Sequence, residues 1–88
     1  TDDYILLHTY PNPFNNRVTI EIYLPASQPI KLQIFSNNGS KVADLVSDLV
    51  SAGHHCYVWD ARVVSSGLYF VKLNTSQKML IRKVILMK

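Results

Sequence analysis

The sequence predicts an all-β domain, an antiparallel β-sandwich of about seven short strands. Three observations carry that expectation. Apolar and polar residues alternate with period two over several stretches. Each of the three glycines falls between such stretches, beside other turn-forming residues. No segment shows helical apolar spacing over more than two turns, and Asp44 to Ala52 is expected to form at most a single helical turn.

The elements follow in order. Tyr4 to Tyr10 is a short strand candidate that ends at Pro11-Asn12-Pro13. Two prolines around one residue cannot continue a ladder, so they impose a bend. From Arg17 to Leu24, Val18, Ile20, Ile22 and Leu24 share one face, with Thr19, Glu21 and Tyr23 on the other. Period two with β-branched residues describes a half-buried strand. Pro25 and Pro29 bracket the next connection. Ile30, Leu32 and Ile34 then alternate with Lys31, Gln33 and Ser36, with Phe35 an apolar exception. Asn37-Asn38-Gly39-Ser40 is a hairpin signal, because Asn-Gly tolerates positive φ. The returning strand is short, about Lys41 to Val46.

Ser51-Ala52-Gly53 marks the next turn, and His54 to Asp60 the next strand. In it His55, Tyr57 and Trp59 share the face expected to point inward, and His54, Cys56 and Val58 the other. Ser65-Ser66-Gly67 turns into a strand from Leu68 to Asn74, and Asn74-Thr75-Ser76-Gln77 turns into the last, Lys78 to Met87. That strand is apolar on both faces from Val84 to Met87, as in a strand covered on two sides or docked on a partner. About seven punctuated strands in one uninterrupted stretch predict one domain over residues 1–88.

Composition narrows the function classes. The 88 residues are 48% hydrophobic and 17% charged, which excludes a disordered tail. The net charge of +3, from singly spaced cations, does not indicate a nucleic-acid partner. No apolar run approaches the roughly 18 residues of a membrane span. Cys56 is the only cysteine, so the core must hold the fold without a disulfide. The chain begins at Thr1 without an initiator Met or a signal-peptide pattern, which predicts a piece of a longer protein.

Chemistry is sparse. Glu21 is the only glutamate, and Asp2, Asp3, Asp44, Asp48 and Asp60 are scattered, so local spacing places no pair for acid/base work. There is neither a nucleophile elbow nor a phosphate loop, and the expectation is a non-enzyme without a cofactor. His54, Cys56 and Asp60 share a strand face, but one thiol with one imidazole is an incomplete zinc set, so no metal is expected. Tyr57, Trp59, Tyr69 and Phe70 read as core rather than as a sugar platform. Tyr69, two steps past the Gly67 turn, fits a tyrosine-corner residue with its hydroxyl tied to nearby backbone. Asn38-Gly39-Ser40 and Asn74-Thr75-Ser76 match the glycosylation acceptor pattern but fall where turns need these residues anyway. Lys78, Arg82, Lys83 and Lys88 concentrate charge on the last strand. Two readings stand equal: protection of an edge against aggregation, or an exposed strand captured by another protein.

Six short motifs occur in a familiar order: Tyr10-Pro11-Asn12-Pro13-Phe14-Asn15, Asn38-Gly39-Ser40-Lys41-Val42, Ser51-Ala52-Gly53-His54-His55, Trp59-Asp60, Ser66-Gly67-Leu68-Tyr69-Phe70 and Lys83-Val84-Ile85-Leu86-Met87-Lys88. Together they resemble the C-terminal sorting domains of cargo of the type IX (Por) secretion system of Bacteroidetes, over almost all of Tyr4 to Lys88. Arg62-Val63-Val64, where relatives often carry small or polar residues, departs from the pattern, as does Ser40-Lys41, where Gly-Arg-Glu is commoner. The resemblance implies an immunoglobulin-like sandwich, similar to the Ig-like domain of flagellar hook-capping proteins. It implies a non-catalytic module attached to an upstream cargo domain; the chain is expected to be a monomer. Cargo of this kind crosses to the periplasm and is then exported to the cell surface or medium. The implied partners are outer-membrane translocon components and a sortase-like peptidase. Carried over residue by residue, Gly67, Tyr69, Lys83, Leu86 and Lys88 belong to the recognition signal, and Pro11, Asn12, Pro13, Gly39 and Gly53 serve the fold. The competing expectation is an Ig-like structural or carbohydrate-binding accessory module, for which Tyr23 and Phe35 are the aromatic residues to inspect.

Overall fold

Period-two patterning is realised as seven strands in the computed structural model, which describes residues 4–88. Asp2 and Asp3 lie outside them. The strands are β1 (Leu6–Tyr10), β2 (Arg17–Leu24), β3 (Gln28–Ser36), β4 (Lys41–Val50), β5 (Gly53–Asp60), β6 (Gly67–Asn74) and β7 (Met79–Leu86). They form a three-stranded sheet, β1-β2-β5, and a four-stranded sheet, β4-β3-β6-β7, with every ladder antiparallel. The expected immunoglobulin-like sandwich is the fold.

Alternation decides what faces inward. Val18, Ile20, Ile22 and Leu24 of β2 lie against Ile30, Leu32 and Ile34 of β3, Val71 and Leu73 of β6, and Val84 and Leu86 of β7 in one buried cluster. Fully burying such a side chain contributes roughly 1.5–3 kcal/mol, so the inner faces hold the two sheets together. Gln28 is the one buried polar side chain among the described residues. Its amide donates to Ala26 O at 3.1 Å, and its oxygen accepts from Ser76 Oγ at 3.0 Å, so its burial leaves no orphan group.

Three sequence expectations need correction, and a fourth is narrowed. Asp44 to Ala52 has no helical turn, and the returning strand continues to Val50. Register shifts against β3 fall between Leu32 and Gln33 and between Ile34 and Phe35. Each inserts a residue into β4 and breaks its period, so Val42, Ala43, Leu45 and Val46 all pack on the core at a spacing that imitates a helix. Phe70 is not a core residue: it lies opposite Phe35 on the outer face of the four-stranded sheet. Pro29 lies inside β3, where β4 pairs it but the β6 ladder starts only at Lys31, a position that tolerates proline. Finally, Val84 and Leu86 are buried while Ile85 and Met87 are exposed, so, of the two alternatives for the last strand, the chain itself does not supply cover on both sides.

The 36–41 hairpin is also wider than a two-residue turn. The Gly39 N–H donates to Ser36 O at 3.0 Å, which places glycine fourth in the turn, at φ +90°. Asn38 keeps a negative φ, and its Oδ1 accepts the Ser40 N–H at 3.1 Å. An added Cβ at Gly39 would touch nothing, so backbone conformation and not space requires glycine here.

Candidate functional site

The site is built around β7. Its inner residues, Val84 and Leu86, anchor it in the core. Its free edge, opposite β6, is occupied by the bend after β1. The Asn12 amide donates to Lys83 O and its Oδ1 accepts the Ile85 N–H, both at 3.0 Å. Phe14 continues the pairing: its N–H donates to Ile85 O, and its carbonyl accepts the Met87 N–H, both at 2.8 Å. Earlier along the strand, Arg82 donates to Ile81 O and, through Nε, to Leu7 O across the sheets, both at 3.0 Å. The open strand expected on one of the two readings is therefore partly occupied along Ile81–Met87. Five of the edge groups that a captured strand would need, Ile81 O, Lys83 O, both groups of Ile85 and the Met87 N–H, are already bonded.

This arrangement gives the bend its purpose. Tyr10–Pro11 and Asn12–Pro13 are both cis, and between them Asn12 points at β7. Phe14 follows into the core, where its ring lies 5.8 Å from Trp59. Trp59 in turn meets Tyr69 edge-on at 5.2 Å. The Tyr69 hydroxyl donates to Ser65 O at 2.6 Å, as a tyrosine-corner residue should. The Ala61 N–H donates to Asn16 O at 2.8 Å, and the Lys88 ammonium donates to the carbonyls of Arg62 and Val64. One end of the sandwich thus joins the first bend, the β5–β6 loop and the last residue.

The five residues expected to carry recognition separate into two groups. Tyr69 and Leu86 are buried, so a partner cannot touch their side chains. Lys88 is engaged by loop carbonyls. Gly67 opens β6 at φ +153°, a backbone conformation an L side chain rarely adopts. Lys83 alone projects from a strand into solvent. Of the residues assigned to the fold, Pro11, Asn12 and Pro13 form the bend that clasps β7, Gly39 sits in the 36–39 turn, and Gly53 opens β5 opposite Leu24 at φ +118°.

Lys83 belongs to a larger surface. In register across the four-stranded sheet run Lys41, Phe35, Phe70 and Lys83, and in the next row Asp44, Gln33, Lys72 and Ile81. Phe35, Phe70, Lys72 and Ile81 line a shallow cleft of about 340 Å³ beside the 36–39 turn. The Lys72 ammonium stands 5.3 Å from the centre of the Phe35 ring, a cation–π contact. The Lys41 ammonium, 2.9 Å from the Asp44 carboxylate, and the Gln33 amide hold that carboxyl below its ordinary pKa. Sequence reasoning took Phe35 as an exception and Phe70 as core. The signal that unites them is register, which alternation alone does not supply.

The opposite outer face carries a second aromatic group. Tyr23 lies 5.5 Å from Tyr4 and 4.8 Å from His54, with interplanar angles of 33° and 50°. Cys56 is an exposed free thiol, and no group of three potential metal ligands gathers among the described residues. At the loop end, Arg62 holds the Asp60 carboxyl below its ordinary pKa through its side chain, with a contact of 2.8 Å, and then through its backbone N–H. Arg17 adds a longer contact at 3.7 Å.

The profile of the secretion system C-terminal sorting domain family matches residues 8–87. The chain belongs to that family. The sorting domain is similar to part of PorZ, a bacterial surface component of the type-IX secretion system of Porphyromonas gingivalis. The two are 22% identical with a TM-score of 0.67, over 93% of this chain and 11% of that chain. At that identity the likeness establishes the fold. No curated protein matches the chain. Membership makes the domain a secretion signal for type IX cargo destined for the cell surface or medium, in a family that is non-catalytic in general.

Proposed function

We propose that the signal is the folded domain, read as a surface, and not a linear tag at the end of the chain. Burial carries this reading: Tyr69 and Leu86 belong to the signal motifs yet are sealed in the core. Their contribution to sorting is then to hold β6 and β7 in place, together with the Gly67 turn and the Lys88 tether. Lys83 makes direct contact with the receptor. The receptor is an outer-membrane translocon component that meets the domain after the cargo has entered the periplasm. A sortase-like peptidase then separates domain from cargo. The domain itself performs no catalysis. In support, the two perturbed carboxylates, Asp44 and Asp60, are each engaged by an exposed cation and do not face each other.

The test fuses the domain to a periplasm-directed reporter in a type IX-competent cell. Export to the surface is expected with residues 4–88, and retention with residues 83–88 deleted. The peptide 78–88 alone should also fail to export the reporter. Surface display driven by that peptide, or surviving the deletion, overturns the reading. A sugar-binding module is less well supported. The Tyr4, Tyr23 and His54 rings pack on one another at inclined angles, whereas a sugar platform presents open ring faces.

A further inference from the structure

We infer that the outer face of the four-stranded sheet docks an acidic protein surface, with one large apolar side chain of that partner seated between Phe35, Phe70 and Ile81. The inference deepens the sorting-signal reading and rests on it for the partner's place in export. Two observations lead to it. Lys31, Lys41, Lys72 and Lys83 share this face, and among the described residues Asp44 is the carboxylate set against them. The excess of positive charge on this one face is as large as that of the whole chain, +3, so its electrostatic complement is negative. Second, the cations surround an apolar patch: Ile81 is 45% exposed, Met79 51% and Ile85 39%, beside the half-buried rings of Phe35 and Phe70. An apolar centre within a charged rim is the anatomy of a protein interface.

Other occupants fit less well. A second copy would bring like charges together. A polysaccharide would leave the apolar centre unmatched. A membrane-inserting face would present its apolar side chains as protruding tips, whereas Phe35 and Phe70 are half-buried and form the walls of a recess.

The experiment titrates the isotope-labelled 88-residue domain with the peptide Asp-Glu-Trp-Glu-Asp, its Asn/Gln counterpart, and phosphatidylglycerol vesicles. Amide shifts are expected at Phe35, Phe70, Lys72 and Ile81 with the acidic peptide. Binding should weaken roughly tenfold with the neutral peptide, or on Lys72→Glu with Lys83→Glu. In cells, a reporter fused to that double variant, folded as judged by circular dichroism and an unchanged Tm, should remain in the periplasm. The proposal is overturned by absence of shifts on this face with the acidic peptide, by vesicles binding in its place, by concentration-dependent shifts without peptide that mark a second copy, or by normal export of the folded double variant. If the unaltered fusion is itself not exported, the sorting-signal reading fails, while the titration still decides this one.

Discussion

Asn12 and Ile85 are 73 residues apart in the chain, and the Ile85 N–H donates to Asn12 Oδ1 at 3.0 Å. The same side chain returns a hydrogen bond to Lys83 O. One asparagine thereby occupies two groups in the middle of an edge that could otherwise template strand addition.

Asn12→Ala removes both bonds and leaves two main-chain groups to water. Each intramolecular hydrogen bond has a net value of about 1 kcal/mol, and exposure places this pair at the lower end. A loss of about 1 kcal/mol, or about 4–8 °C in Tm for a domain of this size, is expected by calorimetry. Aggregation on concentration should rise as well. An unchanged Tm would mean that water replaces the amide without cost.

Tyr69 combines a buried ring with a bonded hydroxyl, and two substitutions separate these contributions. Tyr69→Phe keeps the edge-on contact with Trp59 and loses the bond to Ser65 O, at a cost of about 1 kcal/mol. Tyr69→Ala removes the ring from the core as well, at about 3–5 kcal/mol. Urea titration of the two variants measures the gap. Equal losses would place the whole contribution in the hydroxyl.

The strands were legible in the sequence wherever one face is buried and the ladder is regular. β2 is the plainest case, with Val18, Ile20, Ile22 and Leu24 all inward. β4 was not, because its two inserted residues erase the period that identifies a strand. The β7 clasp was half legible: the two prolines announce a bend, but nothing local says that Asn12 meets a strand more than 70 residues away. The Phe35–Phe70 cleft needs the β3–β6 register, a property of the pairing and not of either strand.

Asp60 gives the pH dependence. Its folded pKa is depressed, first by the Arg62 side chain and then by the Arg62 N–H. A depressed carboxyl contributes stability above its unfolded value, about 3.9, and loses it as pH falls through the folded value. Asp60→Asn keeps an acceptor for the N–H and removes the charge. The stability difference between parent and variant should therefore be level from neutrality to about pH 5, shrink below about pH 4, and disappear in acid. The group is exposed, so salt should reduce the difference at neutral pH. A difference that persists in strong acid would assign the effect to amide geometry rather than charge.

Leu86 and Lys83 stand three residues apart in one signal motif, yet one is buried and the other faces solvent. Leu86→Ala opens a cavity between the sheets and should cost about 2–5 kcal/mol, enough to unfold much of a small domain. Lys83→Ala should change stability by no more than about 0.5 kcal/mol, because it disturbs only an exposed side chain. Both should reduce export of a fused reporter, for different reasons. Lowering the growth temperature should partly rescue the Leu86 variant by restoring its folded fraction, and should leave the Lys83 variant as it was. Protease resistance of the purified domains, measured alongside export, checks the assignment. If the Lys83 variant were rescued in parallel with its folding, Lys83 would belong with Tyr69 and Leu86 as a support of the sheet, and the contact with the receptor would have to lie elsewhere.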